Sequence, residues 1–104
     1  KVKLETTYKG WLCEIDQQVV GFVIGDKSSG EIWVIAVLSE FINLRIGTKL
    51  LQLAEEWLIR AGNKTLWLTT DTNKKLRAYS FYQKNRWKEW KVENGLLYMQ
   101  KKVL

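Results

Sequence analysis

Two stretches of this chain carry residue types at spacings that could do chemistry. The first is EFINLRIGTKLL, Glu40 to Leu51, which follows the apolar run EIWVIAVL (Glu31 to Leu38) and leads into an apolar-periodic segment. A strand, a short polar loop and a helix start together present free backbone N–H groups and about half a unit of positive charge. That arrangement can hold a phosphate or pyrophosphate. Arg45 and Lys49 add positive charge there, and Gly47 is the only glycine of the stretch. The second stretch is AYSFYQKNRW, Ala78 to Trp87, where Tyr82 puts a phenol on an amphipathic helical segment. A positioned phenol can deliver a proton to a departing group.

What the chain lacks narrows the chemistry further. With no His and one Cys, neither a zinc site nor a His-based catalytic triad can be assembled from its side chains. Cys13 alone allows no intramolecular disulfide and fits a reducing, cytoplasmic setting. A general base would have to be a carboxylate or a water relay. Glu31 and Glu40 flank the central apolar run, and at strand rise they stand about 30 Å apart, so they cannot both reach one reacting atom. Neither is assigned as a base. The formal charge of +6, from 17 Lys+Arg against 11 Asp+Glu, favours anionic partners such as nucleotide phosphates, nucleic acid or an acidic surface. Nucleic acid is the least favoured of these. The basic residues are spread along the chain, with short pairs at Lys74–Lys75 and Lys101–Lys102, and most Trp residues fall at core-periodic positions. The opening KVKLETTYKG has no apolar stretch behind its charges and does not read as a signal peptide. No run of about 18 apolar residues is present that could cross a bilayer, so no membrane partner is expected.

The elements that must position these residues follow from patterning. The length reads as one domain, residues 1–104, and a 46% hydrophobic composition with 6 Trp, 4 Tyr and 3 Phe supplies a core. WLCEIDQQVVGFVIGD predicts two strands joined by a tight turn near Asp16–Gln17. KSSG is a second turn, and EIWVIAVL is a third strand whose unbroken apolar run predicts burial on both faces. In GTKLLQLAEEWLIRAG, Leu50, Leu51, Ala54, Trp57 and Leu58 recur at helical spacing, with Lys49, Gln52, Glu55, Glu56 and Arg60 assigned to the solvent side. Gly62 is a natural stop. KTLWLTTD is strand-like. TNKKLRAYSFYQKN predicts a shorter helix, with Asp71, Thr72 and Asn73 as N-cap candidates. RWKEWKV and LLYMQKKVL close as a hairpin around Asn94–Gly95. The order β-β-β-α-β-α-β-β gives an α+β (mixed α/β) fold: a central, mostly antiparallel sheet with one parallel β-α-β crossover and helices on its faces.

VLSEFINLRIGTKLL resembles the acetyl-CoA loop of the GNAT superfamily of N-acetyltransferases, V-x-P-x-Y-[QR]-G-[KR]-G-[IV]-G-x-x-L. Val37, Phe41, Ile46, Gly47 and Leu50 match it. Ser39 replaces the proline and Ile42 the Gln/Arg, and Asn43, Leu44 and Arg45 stand where G-[KR]-G is expected. Asn43 tolerates the left-handed region better than most residues. Arg45 at a glycine position either restricts the loop or pairs its guanidinium with a phosphate. Downstream, KLRAYSFYQKNRW is similar to the family's N-x-x-A-x-x-[FL]-Y-[EQ]-K-x-G-[FW]. Ala78, Phe81, Tyr82, Gln83, Lys84 and Trp87 match, with Lys75 at the asparagine position and Arg86 at the glycine position.

The resemblance implies a GNAT-like fold and direct transfer of an acetyl group from acetyl-CoA, as co-substrate without a metal, to a primary amine of a small molecule or protein. It implies Tyr82 as the catalytic acid for the leaving thiolate. For the cofactor it implies the backbone around Ile35, Ala36 and Val37, the loop residues Ile42, Asn43, Leu44, Arg45, Ile46, Gly47 and Thr48, and Lys75. A bulge between Ile35 and Leu38 would free an N–H for the oxyanion. The departures also fit a non-catalytic GNAT-like domain for CoA binding or assembly. The family's amino-terminal strand and two helices would need a longer stretch before Trp11. The chain thus corresponds to the C-terminal core of that fold, and an uncovered edge or groove would suit a partner or a homodimer mate.

Overall fold

The computed structural model describes residues 6–103. Residues 1–5 and 104 lie outside it, and with them most of KVKLETTYKG's charged opening and the two ends of the expected 1–104 domain. The observed order is β1 (Tyr8–Ile15), β2 (Gln18–Asp26), β3 (Glu31–Val37), a 3-10 helix (Ser39–Leu44), α1 (Ile46–Arg60), β4 (Thr65–Asp71), α2 (Arg77–Lys84), β5 (Lys88–Glu93) and β6 (Leu96–Lys102). This is the mixed α+β architecture expected from the pattern. The strands form one sheet in the order β1-β2-β3-β4-β6-β5. Only β3 and β4 run parallel; the other neighbours are antiparallel. Two-residue turns with positive φ close the β1–β2 and β5–β6 hairpins, at Asp16 (50°) and Gln17 (66°) and at Asn94 (52°) and Gly95 (76°). Such turns match the right-handed twist of the strands they join. Among the described residues no helix is long and apolar enough to cross a membrane.

Both helices pack against the same face. Leu50, Leu51, Ala54 and Leu58 of α1 and Tyr82 of α2 cover Val23, Ile32, Leu66, Leu68, Leu97 and Met99 of the sheet in one core. Each leucine fully buried this way is worth about 1.5–3 kcal/mol of transfer free energy. The opposite face is open, which overturns the expectation that β3 is buried on both sides. Trp33 is 59% exposed. Alternate residues of a strand point to opposite faces, so helices on one face cover only every second side chain of the apolar run. On the open face the aromatic rings cover each other instead: Tyr8 meets Trp33 edge-on at 5.5 Å, and Trp67 stacks on Tyr98 at 5.9 Å.

Two further expectations are corrected. Glu55, assigned to the solvent side of α1, is buried at 6% exposure, because the indole of Trp87 and the ammonium of Lys101 close over it. The second helix starts at Arg77 with Leu76 as its N-cap, later than Asp71, Thr72 or Asn73 would place it. Asp71 and Asn73 spend their carboxylate and amide oxygens on the turn before the helix, accepting from the backbone N–H of Asn73 (2.7 Å) and Lys75 (3.0 Å).

Two contacts join the sheet's halves to its turns. Gly30, at φ +81°, accepts the Trp67 N–H at 3.1 Å, and a Cβ there would stand 2.8 Å from the Thr65 carbonyl oxygen. Gly30→Ala should therefore cost about 2 kcal/mol, read as a lowered urea midpoint. The Asp26 carboxylate accepts from the Thr7 hydroxyl and from the N–H and hydroxyl of Ser28 and the Ser29 hydroxyl. These bonds, Thr7's foremost, hold its pKa below the ordinary 3.8 against the opposing effect of burial. A folded-state pKa below the unfolded one contributes stability that is present above the unfolded value and lost as pH falls through the folded one. Asp26→Asn should thus lower the midpoint at pH 7, and the gap to the parent should close as acid titrates the parent carboxylate.

Candidate active site

The site begins at a strand edge. β3 pairs with β2 along its length, but with β4 the register holds at Glu31↔Trp67 alone. Beyond that point the two parallel strands part. The Leu38 N–H donates to the Val20 carbonyl at 2.8 Å. By the alternation of an antiparallel ladder, Ala36 also turns its backbone groups towards β2, and Ile35 and Val37 turn theirs towards the gap. The expected bulge between Ile35 and Leu38 is not what frees them. The register irregularity of this pair falls lower, between Ile24 and Gly25 of β2, where β3 holds the extra residue Trp33. Divergence of β3 from β4 releases the edge instead.

The loop after β3 is more regular than the sequence suggests. Ser39–Leu44 form a 3-10 helix, and Arg45 ends it and begins α1 with φ 62° and ψ 17°. The left-handed residue of the loop is thus Arg45, and Asn43, which could have taken that conformation, sits within the 3-10 turn. An L residue pays roughly 1–2 kcal/mol for the left-handed region. Gly47 serves a different need. A Cβ at Gly47 would stand 3.2 Å from Cε1 and Cζ of Phe81, so glycine here lets α2 approach the first turn of α1.

A cleft of about 550 Å³ lies between these parts. One wall is Ile35, Ala36 and Val37; the loop contributes Ile42, Asn43, Arg45, Gly47 and Thr48; α2 contributes Arg77, Ala78, Ser80, Phe81, Tyr82 and Lys84. Most residues singled out from the sequence therefore meet at one place. Three do not. Leu44 is 60% exposed on the outside of the loop. Ile46 points into the core at 9% exposure. Lys75 lies in the turn before α2, exposed and away from the cleft lining. Sequence reasoning missed Arg77 and Ser80 and gave Lys84 no role. The signal was available: Arg77, Phe81 and Lys84 are spaced i, i+4, i+7, one face of a helix.

The electrostatics of the cleft are one-sided. Arg45, Arg77 and Lys84 are its charged residues among those described, all cationic, which suits a polyanion. Tyr82 is 8% exposed and packs edge-on to Phe81 at 5.4 Å and tilted on Trp87 at 6.3 Å. Burial pushes its phenol up to about 12, so at neutral pH it is a proton donor and not a base. Of the two carboxylates considered as bases, Glu31 lies at the other end of β3 with its pKa raised by burial and by Asp26. Glu40 accepts from the Ser39 hydroxyl at 2.7 Å on the exposed loop. Neither lines the cleft.

Comparison with known proteins adds the following. The model of the acetyltransferase (GNAT) family matches residues 3–86. No curated protein sequence matches the chain. Among solved structures, the PaiA N-acetyltransferase of Thermoplasma acidophilum in complex with coenzyme A is similar at 22% identity and a TM-score of 0.85, over 93% of this chain and 62% of that one. Ard1 of Thermoplasma volcanium is similar at 22% identity and a TM-score of 0.73, over 86% and 66%. An aminoglycoside 6'-N-acetyltransferase complexed with coenzyme A gives 21% and 0.78, over 94% and 74%. At such identity the likeness is one of fold. The chain spans less than two thirds of the length of the first two.

The Arg45 geometry has a measurable consequence. Arg45→Gly should remove the left-handed strain and raise stability by up to about 1 kcal/mol, after allowance for glycine's larger unfolded-state entropy. A raised urea midpoint checks it.

Proposed function

Because the chain belongs to the acetyltransferase (GNAT) family, we propose that it transfers an acetyl group from acetyl-CoA directly to a primary amine, of a small molecule or a protein. The observation that carries this reading is the meeting of three parts at one cleft: the released edge of β3, the cationic loop at Arg45 and the phenol of Tyr82. Residues 1–104 as a single GNAT-like domain, the C-terminal core of that fold, are part of the same proposal.

The chemistry assigns each part a task. The guanidinium of Arg45, with Arg77 and Lys84, meets the pyrophosphate and phosphate charges; arginine pairs two phosphate oxygens at once, as a point charge does not. The backbone of Ile35 and Val37 offers an edge to which the amide groups of a pantetheine arm can pair in strand fashion. An N–H of that edge is also a donor for the carbonyl oxygen as it gains charge. The amine nitrogen attacks the thioester carbon, the C–S bond breaks, the sulfur takes the proton of the Tyr82 hydroxyl and the amine's proton passes to water, from which the phenolate is reprotonated. A free thiol titrates at about 8.5, well below a phenol near 12. The burial that raises the phenol raises a thiolate left in the same cleft as well, which narrows the gap.

A second reading, a non-catalytic CoA-binding or assembly domain, is motivated by Arg45 at a glycine position and by Lys75 outside the cleft. The two readings separate in one set of measurements. Acetyl-CoA at about 100 times its Kd should add about 2.7 kcal/mol to stability, a rise in Tm of several degrees. Tyr82→Phe should lower kcat about 10²-fold with CoA affinity nearly unchanged. Arg45→Gly should weaken CoA binding about tenfold although the protein becomes more stable. Binding without turnover over a broad amine panel would favour the second reading, and no thermal shift with millimolar acetyl-CoA would sink the first and leave only the assembly form of the second.

A further inference from the structure

Glu55 is a buried carboxylate that the proposed chemistry does not use. Taking an ionised carboxylate out of water is costly unless it is paired and hydrogen-bonded, and an apolar residue of similar size is often as stable in its place. What such a group supplies is a fixed geometry. Here Glu55 Oε2 accepts the Trp87 indole N–H at 2.9 Å, and Oε1 accepts from Lys101 Nζ at 2.8 Å. Lys101 Nζ also donates to the Asn85 carbonyl at 3.1 Å, and Asn85 Nδ2 donates to the Phe81 carbonyl at 2.9 Å. The network thus runs from the middle of α1, through β6, to the last turn of α2.

Its far end is Tyr82. The backbone N–H of Trp87 donates to the Tyr82 carbonyl at 3.0 Å. The Trp87 indole, 2% exposed, lies against the Tyr82 ring with centroids 6.3 Å apart and planes at 58°. The indole is therefore held by Glu55 on one side and bounds the phenol's rotation on the other. α2 needs such a brace. It has eight residues and no side-chain cap at its start, so its own hydrogen bonds hold its orientation weakly.

We infer that Glu55 is a positioning residue for the Tyr82 phenol, acting through the Trp87 indole and, with Lys101, through the turn at Asn85. This rests on the reading of Tyr82 as the acid that protonates the leaving thiolate. Glu55 is not among the residues that line the cleft, and its effect on rate exists only through the placement of that hydroxyl. Misplacement of a catalytic group by a fraction of an ångström is enough to slow a reaction severalfold or more.

The test is a double-mutant cycle on kcat, with near-UV circular dichroism confirming that each variant is folded. Glu55→Gln should lower kcat about tenfold with the KM for acetyl-CoA within about twofold. In a Tyr82→Phe background the same substitution should change kcat less than about twofold, because there is no hydroxyl left to place. With an acetyl thioester of an aromatic thiol, which leaves without a proton, Glu55→Gln should have no effect on kcat. Equal slowing by Glu55→Gln in both backgrounds, or no slowing in either, overturns the inference and leaves Tyr82's role standing. A Tyr82→Phe variant as fast as the parent overturns the reading of Tyr82 and this inference with it. Should Glu55→Gln fail to fold, Lys101→Gln, at a partly exposed position, enters the cycle under the same criteria.

Discussion

The arrangement of the molecule depends on how β3 is paired. Along one edge it is bonded to β2; along the other it holds β4 at Glu31↔Trp67 and then departs from it. Backbone donors and acceptors left on such an edge must be satisfied by something other than the sheet. The protein leaves them facing a cleft instead of covering them with a side chain or a strand. The rest of the site is built around that edge: the 3-10 turn carries Arg45 past its upper end, and α2 forms the wall opposite.

Packing explains why the wall stands where it does. Gly47 permits Phe81 to lie on the first turn of α1, which fixes how near the two helices come. Arg45 is the counterpart of that closeness. The chain must turn sharply from the 3-10 helix into α1, and the left-handed conformation falls on a residue that bears a guanidinium. In a loop where glycine would carry the turn without strain, a strained arginine adds a positive charge to the lining of the cleft. The cost in stability and the gain in charge are two aspects of one residue.

Charge and burial divide the labour inside the cleft. Three cations line its mouth and loop, and the phenol is held in an apolar pocket of Phe81 and Trp87. Behind the same apolar surroundings that keep Tyr82 protonated, the buried carboxylate of Glu55 holds the Trp87 indole and pairs with the partly exposed Lys101. The open face of the sheet is of another kind. Its rings pair with one another, Trp67 with Tyr98 and Trp90 with Tyr98, and none of them belongs to the cleft.

Local and periodic information was enough for much of this. The element order, the parallel crossover, the hairpin turns at Asp16–Gln17 and Asn94–Gly95 and the apolar stripe of α1 follow from patterns a few residues long. The motif spacing named most residues that line the cleft, because a strand, a loop and a helix start are contiguous in the chain. What it could not decide were matters of which face and which neighbour. An apolar run reads alike whether one face or both are covered, so the exposure of Trp33 was decided by both helices packing on one side. Glu55 reads as solvent-facing because its partners, Trp87 and Lys101, lie far along the chain. The caps expected at Asp71 and Asn73 fell instead in the turn before the helix, because a side chain that can cap a helix can equally close that turn. The composition and spacing of this protein determined its element order and which residues meet at the candidate site; the pairing of β3, the side on which the helices pack and the burial of Glu55 were decided only in the tertiary structure, because each depends on contacts between residues remote in sequence.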